Sequence, residues 1–291
     1  MTAAPVRLAL LVTLALLAFA GNSLLTRAAL AGGEIGPDSF AAIRLSAGAI
    51  TLLAIGIRKR LMVAPGKRDI PGIMALFIYA AAFSRAYVSL SAATGALILF
   101  TCVQMTVISG GIIGGVRMAP HQGVGVLIAL GGLAWLLAPG LAAPAVGAAA
   151  LMAAAGVAWG IYTLLGRGKG DPVARTARNF IGTFPLAVML LTLPEAHGTA
   201  MPIALALASG AITSALGYVV WYSVLPRMSA LSAASLQLLV PVITSLGSVI
   251  WLYEPLTTAL AGASIIILAG IALTLRPPFA GSQKGRFTNL P

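Results

Sequence analysis

The residues able to do chemistry in this chain are few, and they stand inside long apolar runs. Helical spacing gathers them into stripes. Phe19, Asn22 and Thr26 share one face, as do Tyr79, Phe83 and Tyr87, and Thr101, Gln104 and Ile108. Trp159 and Tyr162 form another stripe, followed by Ser214, Tyr218 and Trp221, and then by Gln237, Pro241, Thr244 and Ser248. Aromatic rings mixed with neutral amides suit reversible binding of a small organic molecule that has an apolar or aromatic body and a few hydrogen-bonding groups. An enzyme would need a nucleophile with its base, a carboxylate pair or a set of metal ligands at that depth, and none is visible. Nor is there a glycine-rich nucleotide loop. The substrate-binding candidates are therefore Asn22, Tyr79, Phe83, Thr101, Gln104, Trp159, Tyr162, Tyr218, Trp221 and Gln237, with no cofactor or metal expected.

Each stripe also has a purely structural use. Thr26, Thr244 and Ser248 suit ordinary contacts between membrane helices. Trp135, Trp251 and Tyr253 fall near helix ends, where an interfacial aromatic belt forms. Asn22, Gln104 and Gln237 either line a pore or bond between helices, because an amide far from water needs partners. Arg44 and Arg178 lie close enough to helix ends to snorkel to the interface. Arg85 lies deeper and is open to a substrate carboxylate, helix-end carbonyls or lipid phosphate. Cys102, the single cysteine, reads as a small packing residue.

The elements that carry these stripes are expected to be membrane helices. Only 8% of the 291 residues are charged and 59% are hydrophobic, whereas a soluble domain carries roughly 25% charge. Runs of roughly 20 apolar residues cross a bilayer core. Ten such runs are predicted, at about 6–30, 39–57, 70–90, 94–116, 121–138, 146–165, 172–193, 203–224, 230–251 and 256–275. The chain from 70 to 116 must turn once, and the small and hydroxyl residues from Ser89 to Thr94 are the place for it. Pro185 and Pro241 fall inside helices and favour kinks there. Ala18-Phe19-Ala20 imitates a signal-peptide cleavage site, but the apolar run continues to about Leu30 and is read as a retained helix.

Eighteen Lys and Arg against six acids give a formal charge of +12. A nucleic-acid partner is not expected, because no basic stretch is interleaved with aromatics. The bases sit between apolar runs instead, in alternate loops. One set holds Arg7, Arg58 to Arg60, Lys67, Arg68, Arg117, Arg167, Lys169, Arg175, Arg227, Arg276, Lys284 and Arg286. The other holds Glu34, Asp38, Glu195 and Glu254, with Arg27 nearby. Short basic loops stay on the cytoplasmic side, so both termini are expected there.

The chain also repeats itself. Gly95-Ala96-Leu97-Ile98-Leu99-Phe100 reads against Ser232-Ala233-Ala234-Ser235-Leu236-Gln237, and Arg44 falls opposite Arg178. Five helices per repeat is an odd number, so the second copy enters the membrane inverted. Inverted repeats are typical of secondary transporters, whose sites lie near the midplane. The expected organisation is a first repeat over 1–140, a second over 141–280 and a cytoplasmic tail over 281–291.

Phe40-Ala41-Ala42-Ile43-Arg44, Ala158-Trp159-Gly160-Ile161-Tyr162, and the stretch from Ala230 to Pro241 running on to Tyr253-Glu254-Pro255-Leu256-Thr257 carry a resemblance over the whole chain. It resembles the drug/metabolite transporter superfamily, specifically the EamA-type members, and among these the bacterial aromatic amino-acid exporters. The first half departs from that pattern, with Gln104 and Arg117 where the second has Pro241 and Glu254. The resemblance implies an all-α integral membrane fold of ten transmembrane helices in two inverted five-helix repeats. It places helices one, three, four, six, eight and nine around a central cavity. It implies a non-ATP secondary transporter in the bacterial inner membrane, a monomer or weak homo-oligomer in lipid, that exports or exchanges small metabolites by alternating access. Amino acids, purines and hydrophobic drugs all fit such a cavity, and a channel or sensory membrane protein is the reading from another class. Proton-coupled pumps usually place Asp, Glu or His within the membrane. The apolar runs hold none away from their ends, so uncoupled movement down a gradient is expected.

Overall fold

The computed structural model of the chain describes residues 3–115, 118–138, 144–166, 171–193, 197–228, 233 and 236–276. The expectations for Arg117, Arg167, Lys169, Glu195, Lys284, Arg286, the repeat positions Ser232, Ala234 and Ser235, and the 281–291 tail lie outside the described residues.

The helices are α1 (Ala3–Leu30), α2 (Pro37–Arg58), α3 (Ile70–Tyr87), α4 (Ala92–Ile113), α5 (Pro120–Leu137), α6 (Val146–Leu165) and α7 (Pro172–Leu190). They are followed by α8 (Ala200–Val224), α9 (Leu239–Trp251) and α10 (Thr258–Thr274). Their starts follow local chemistry. Pro37, Pro120 and Pro172 open α2, α5 and α7, where a fixed φ is already helical and the missing N–H is not needed. Ser91, Asp171 and Thr257 cap α4, α7 and α10 by accepting from free backbone N–H groups of the first turn. The predicted turn is the segment between Tyr87 and Ala92, and Ser91 ends it.

Among the described residues, seven helices are long and apolar enough to cross a membrane: α1 to α6 and α8. α7 carries Arg175, Arg178 and Asn179 in its first half, which lowers its apolar character. α9 and α10 are shorter apolar helices of 13 and 17 residues. Leu10, Leu14, Leu17, Ile50, Ile57, Leu127 and Ile265 all point outward. A continuous apolar exterior of this kind needs lipid around it, so the chain is a multi-pass membrane protein.

α2 packs along α7 and α5 along α10, while α3 lies against α6 and α1 against α8. α6 also meets α4, and α1 meets α9. Two backbone bonds, Gly36 N–H to His197 O at 3.1 Å and Thr199 N–H to Glu34 O at 3.0 Å, join the loop after α1 to the loop before α8.

Two departures from regular packing shape the centre. α8 widens into a π-helix over Ser209–Leu216 before returning to α geometry, a form that turns neighbouring side chains toward one side and is frequent at functional sites. At Gly210 in that segment, a Cβ would lie 2.2 Å from the carbonyl oxygen of Arg44. Only glycine lets the backbones of α2 and α8 touch there.

Candidate functional site

Aromatic rings from four of these helices fill the centre of the bundle. Trp159 of α6 is the hub, with ring centroids 4.9 Å from Tyr79 on α3 and 4.8 Å from Tyr218 on α8. It stacks on Tyr162 one turn along at 5.3 Å and 23°, and meets Phe19 of α1 edge-on at 6.4 Å. Phe19 also packs against Trp221 at 5.6 Å, and Phe83 continues the cluster 5.2 Å from Tyr79. Such tilted and edge-on pairs are worth about 1 kcal/mol each beyond packing. They hold the rings in fixed orientations without covalent restraint.

The rings enclose a cavity of about 20 Å³ lined by Phe19, Asn22, Ser23, Tyr79, Leu99, Phe100, Trp159 and Tyr218. That is room for about one water molecule. Among the described residues this space is too small for an organic substrate, which would need helices to move apart to enter. A second cavity of about 140 Å³ lies between α4, α9 and α10, with only Ser245 and Ser264 as polar lining groups. Both hydroxyls already donate to carbonyls of their own helices, Pro241 O at 2.8 Å and Leu260 O at 2.7 Å, so nothing there orients a ligand.

A buried polar network is built into the aromatic centre. Asn22 donates from Nδ2 to the Tyr79 hydroxyl at 3.0 Å, and its Oδ1 accepts from Ser209 at 2.8 Å and Thr213 at 3.4 Å. Arg44 donates from Nη2 to the same Tyr79 oxygen at 3.1 Å and from Nε to Ser214 at 3.2 Å. Ser209, Thr213 and Ser214 all belong to the π segment of α8, and this explains why that segment matters. The guanidinium carbon lies 5.0 Å from the ring centres of both Tyr79 and Phe83. Two desolvated cation–π contacts, each worth up to about 2 kcal/mol, offset part of the cost of holding the charge there.

This overturns the snorkelling expectation for Arg44, which is 1% exposed and turned into the bundle. Seven residues separate it from Pro37, which is about 10 Å of helix. Its side chain turns inward to Ser214 and Tyr79 instead of along the helix axis. Arg178, by contrast, keeps its place near a helix end, pairing with Asp69 at 3.1 Å and donating to Met62 O at 3.2 Å. Arg85 does not reach the cavity; it pairs with Asp38 at 2.9 Å.

At the end of the bundle where α1 stops, Arg27 and Glu254 form an ion pair. Their atoms are 2.8 Å apart, and Arg27 also donates to Tyr87 O at 3.0 Å and Val88 O at 2.9 Å. Glu254 accepts from the Ala92 N–H at 2.8 Å with its second oxygen. One ion pair thus joins α1, the α3–α4 turn and the segment after α9.

Of the ten sequence candidates, Asn22, Tyr79, Trp159 and Tyr218 line the cavity. Phe83, Tyr162 and Trp221 stand one ring behind it. Thr101, Gln104 and Gln237 are buried but lie outside the lining. Thr101 donates to Leu97 O of its own helix at 2.7 Å, which is the packing alternative. The sequence stripes missed Ser23, Leu99 and Phe100 as lining, and Arg44 and Ser209 as network members. Phe100 and Leu99 precede the α4 stripe by one or two residues, and a wider helical face would have included them.

Comparison with known proteins gives a consistent picture. Residues 146–276, beginning at the first residue of α6, match the EamA-like transporter family. An uncharacterized protein of Pseudomonas aeruginosa is 49% identical over 275 residues, covering 93% of this chain and 95% of its own. A probable terminal-alkyne amino-acid exporter of Streptantibioticus cattleyicolor is 28% identical over 266 residues, covering 84% and 87%. An uncharacterized transporter of Archaeoglobus fulgidus is 27% identical over 256 residues, covering 83% and 90%. One crystal structure shares the fold, with a TM-score of 0.66 at 21% identity over 92% of this chain and 97% of that one.

Proposed function

We propose that this chain, whose residues 146–276 match the EamA-like transporter family, exports or exchanges small organic metabolites, amino acids with aromatic side chains among them, across the bacterial inner membrane. The observation that carries this reading is the enclosed centre in which Trp159, Tyr79 and Tyr218 surround a space beside the Asn22 amide. Flat rings on several sides suit a flat apolar substrate, and one amide with two phenols suits a small polar head. The amino-acid exporter among the relatives supports the substrate class.

The architecture that goes with this reading is ten membrane helices in two inverted halves, 1–140 and 141–280, with both termini in the cytoplasm. An axis exchanging α1 with α6, α2 with α7, α3 with α8, α4 with α9 and α5 with α10 turns the α3–α6 contact into the α8–α1 contact. It also maps the α2–α7 and α5–α10 contacts onto themselves, in line with the packing. Transport then proceeds by alternating access around the central cavity. Arg27 and Glu254 seal its periplasmic side in the closed state. No proton partner is needed, and the substrate gradient alone drives net movement.

The test is counterflow in proteoliposomes. Vesicles preloaded with unlabelled phenylalanine or tryptophan are expected to accumulate the labelled amino acid transiently, and Trp159→Ala and Tyr218→Ala to reduce that uptake at least tenfold. Unchanged uptake in both variants would remove the cavity assignment.

A further inference from the structure

The bonds at the centre do not balance. Tyr79 oxygen accepts from both Asn22 Nδ2 and Arg44 Nη2, so its own hydrogen is left to donate. The Tyr218 hydroxyl, 2% exposed, lies beside Tyr79 and Arg44 but makes no hydrogen bond of regular geometry, and neither does Arg44 Nη1. The Asn22 carbonyl oxygen is already taken by Ser209 and Thr213. The Tyr218 oxygen can accept from one neighbouring donor, which leaves two donors without an acceptor beside one permanent positive charge. Among the described residues Arg44 makes no ion pair, although Arg27, Arg85 and Arg178 each have a carboxylate.

A buried cation without a counter-charge is unfavourable in a membrane protein and is retained for function. A bound amine or amide head would bring more donors to a place that lacks acceptors. A carboxylate would bring one negative charge and about four lone-pair sites, which is what the centre lacks. Tyr79 and Tyr218 connect the two regions, because both line the cavity while Tyr79 also touches the guanidinium.

We propose that Arg44, acting through Tyr79 and Tyr218, makes the central cavity selective for substrates bearing a carboxylate on a flat apolar body. Arg44 is a positioning residue here: it holds the Tyr79 oxygen and supplies the field, while the phenol hydroxyls and Asn22 meet the anion. This rests on the transporter reading above and narrows it, disfavouring uncharged nucleobases and cationic drugs as cargo.

The experiment uses the full chain in detergent and, in parallel, in proteoliposomes. Thermal shift is measured with 3-phenylpropionate, L-phenylalanine, L-phenylalaninamide and 2-phenylethylamine as probes. The two carboxylates are expected to stabilise the wild-type protein at concentrations at least tenfold lower than the amide or the amine. Arg44→Gln is expected to abolish that preference, and Arg44→Lys to keep part of it. A purely structural Arg44 would lower stability in the variant without any carboxylate preference in the wild type. Should Arg44→Gln fail to fold, the wild-type acid-to-amide ratio still decides the matter. Equal response to acid and amide overturns the proposal. If acid and amide bind alike while counterflow of some neutral compound proceeds, Arg44 selectivity fails and the transporter reading stands. If carboxylates bind preferentially but no compound moves in counterflow, the selectivity stands and the transporter reading fails.

Discussion

Tyr79 concentrates the polar contacts of the centre on one oxygen, which accepts from an amide on α1 and a guanidinium on α2. Removing that oxygen leaves two buried donors unpaired, each at a cost of about 1–3 kcal/mol. Tyr79→Phe is therefore expected to lower the unfolding midpoint measurably in detergent, although the ring and its cation–π contact remain. A midpoint equal to wild type would mean that the network carries no stability. At this scale the sequence was partly legible. Asn22, Tyr79, Trp159 and Tyr218 were visible because polar and aromatic residues at helical spacing inside apolar runs usually turn inward. Arg44 was not, because snorkelling is judged from distance to a helix end, whereas its partners Ser214 and Tyr79 stand on other helices, 170 and 35 residues away. The partner of Arg85 was equally hidden, since Asp38 stands on another helix, 47 residues away.

At the scale of elements, two contacts hold the closed state. The first is the approach of α2 to α8 at Gly210, which brings Arg44 to Ser214. Gly210→Leu is expected to force these helices apart, losing about 1–3 kcal/mol through overpacking and, more tellingly, losing transport. Retained transport at normal expression would show that the close approach is dispensable. The second contact is the Arg27–Glu254 pair with its backbone partners Tyr87, Val88 and Ala92. Glu254→Gln removes the charge while keeping the shape, and it is expected to populate an open form on that side. A cysteine placed at Ser23, in a chain whose Cys102 is first changed to Ala, should then react several-fold faster with a membrane-impermeant maleimide added outside. No change in labelling would mean that this ion pair is not a gate. Helix positions were largely readable beforehand, because apolar runs and prolines mark them; α6 spans the predicted residues at both ends. The π segment of α8, which packs against α1 and α2, was not readable, because no residue pattern within Ser209–Leu216 marks a change of winding.

At the scale of the whole molecule, the question is which way the bundle faces. In the proposed orientation, which rests on basic residues in alternate loops, the loop around Lys67 lies in the cytoplasm and the loop around Glu34 outside. In intact cells, a cysteine at Glu34 is expected to react with an impermeant maleimide, while one at Lys67 reacts only after the cells are opened. The reverse pattern would invert the orientation and with it the direction assigned to export. The charge pattern could suggest this because it is written along the chain, but the pairing of helices such as α2 with α7 depends on contacts that no single loop reveals.

The size of the central cavity has a consequence for the cell's electrical life. A space of about 20 Å³ holds one water molecule, and one molecule cannot form the file along which protons hop or small ions shed their hydration. A bundle in this conformation is thus expected to insulate, so that idle copies would sit in an energised membrane without dissipating its voltage.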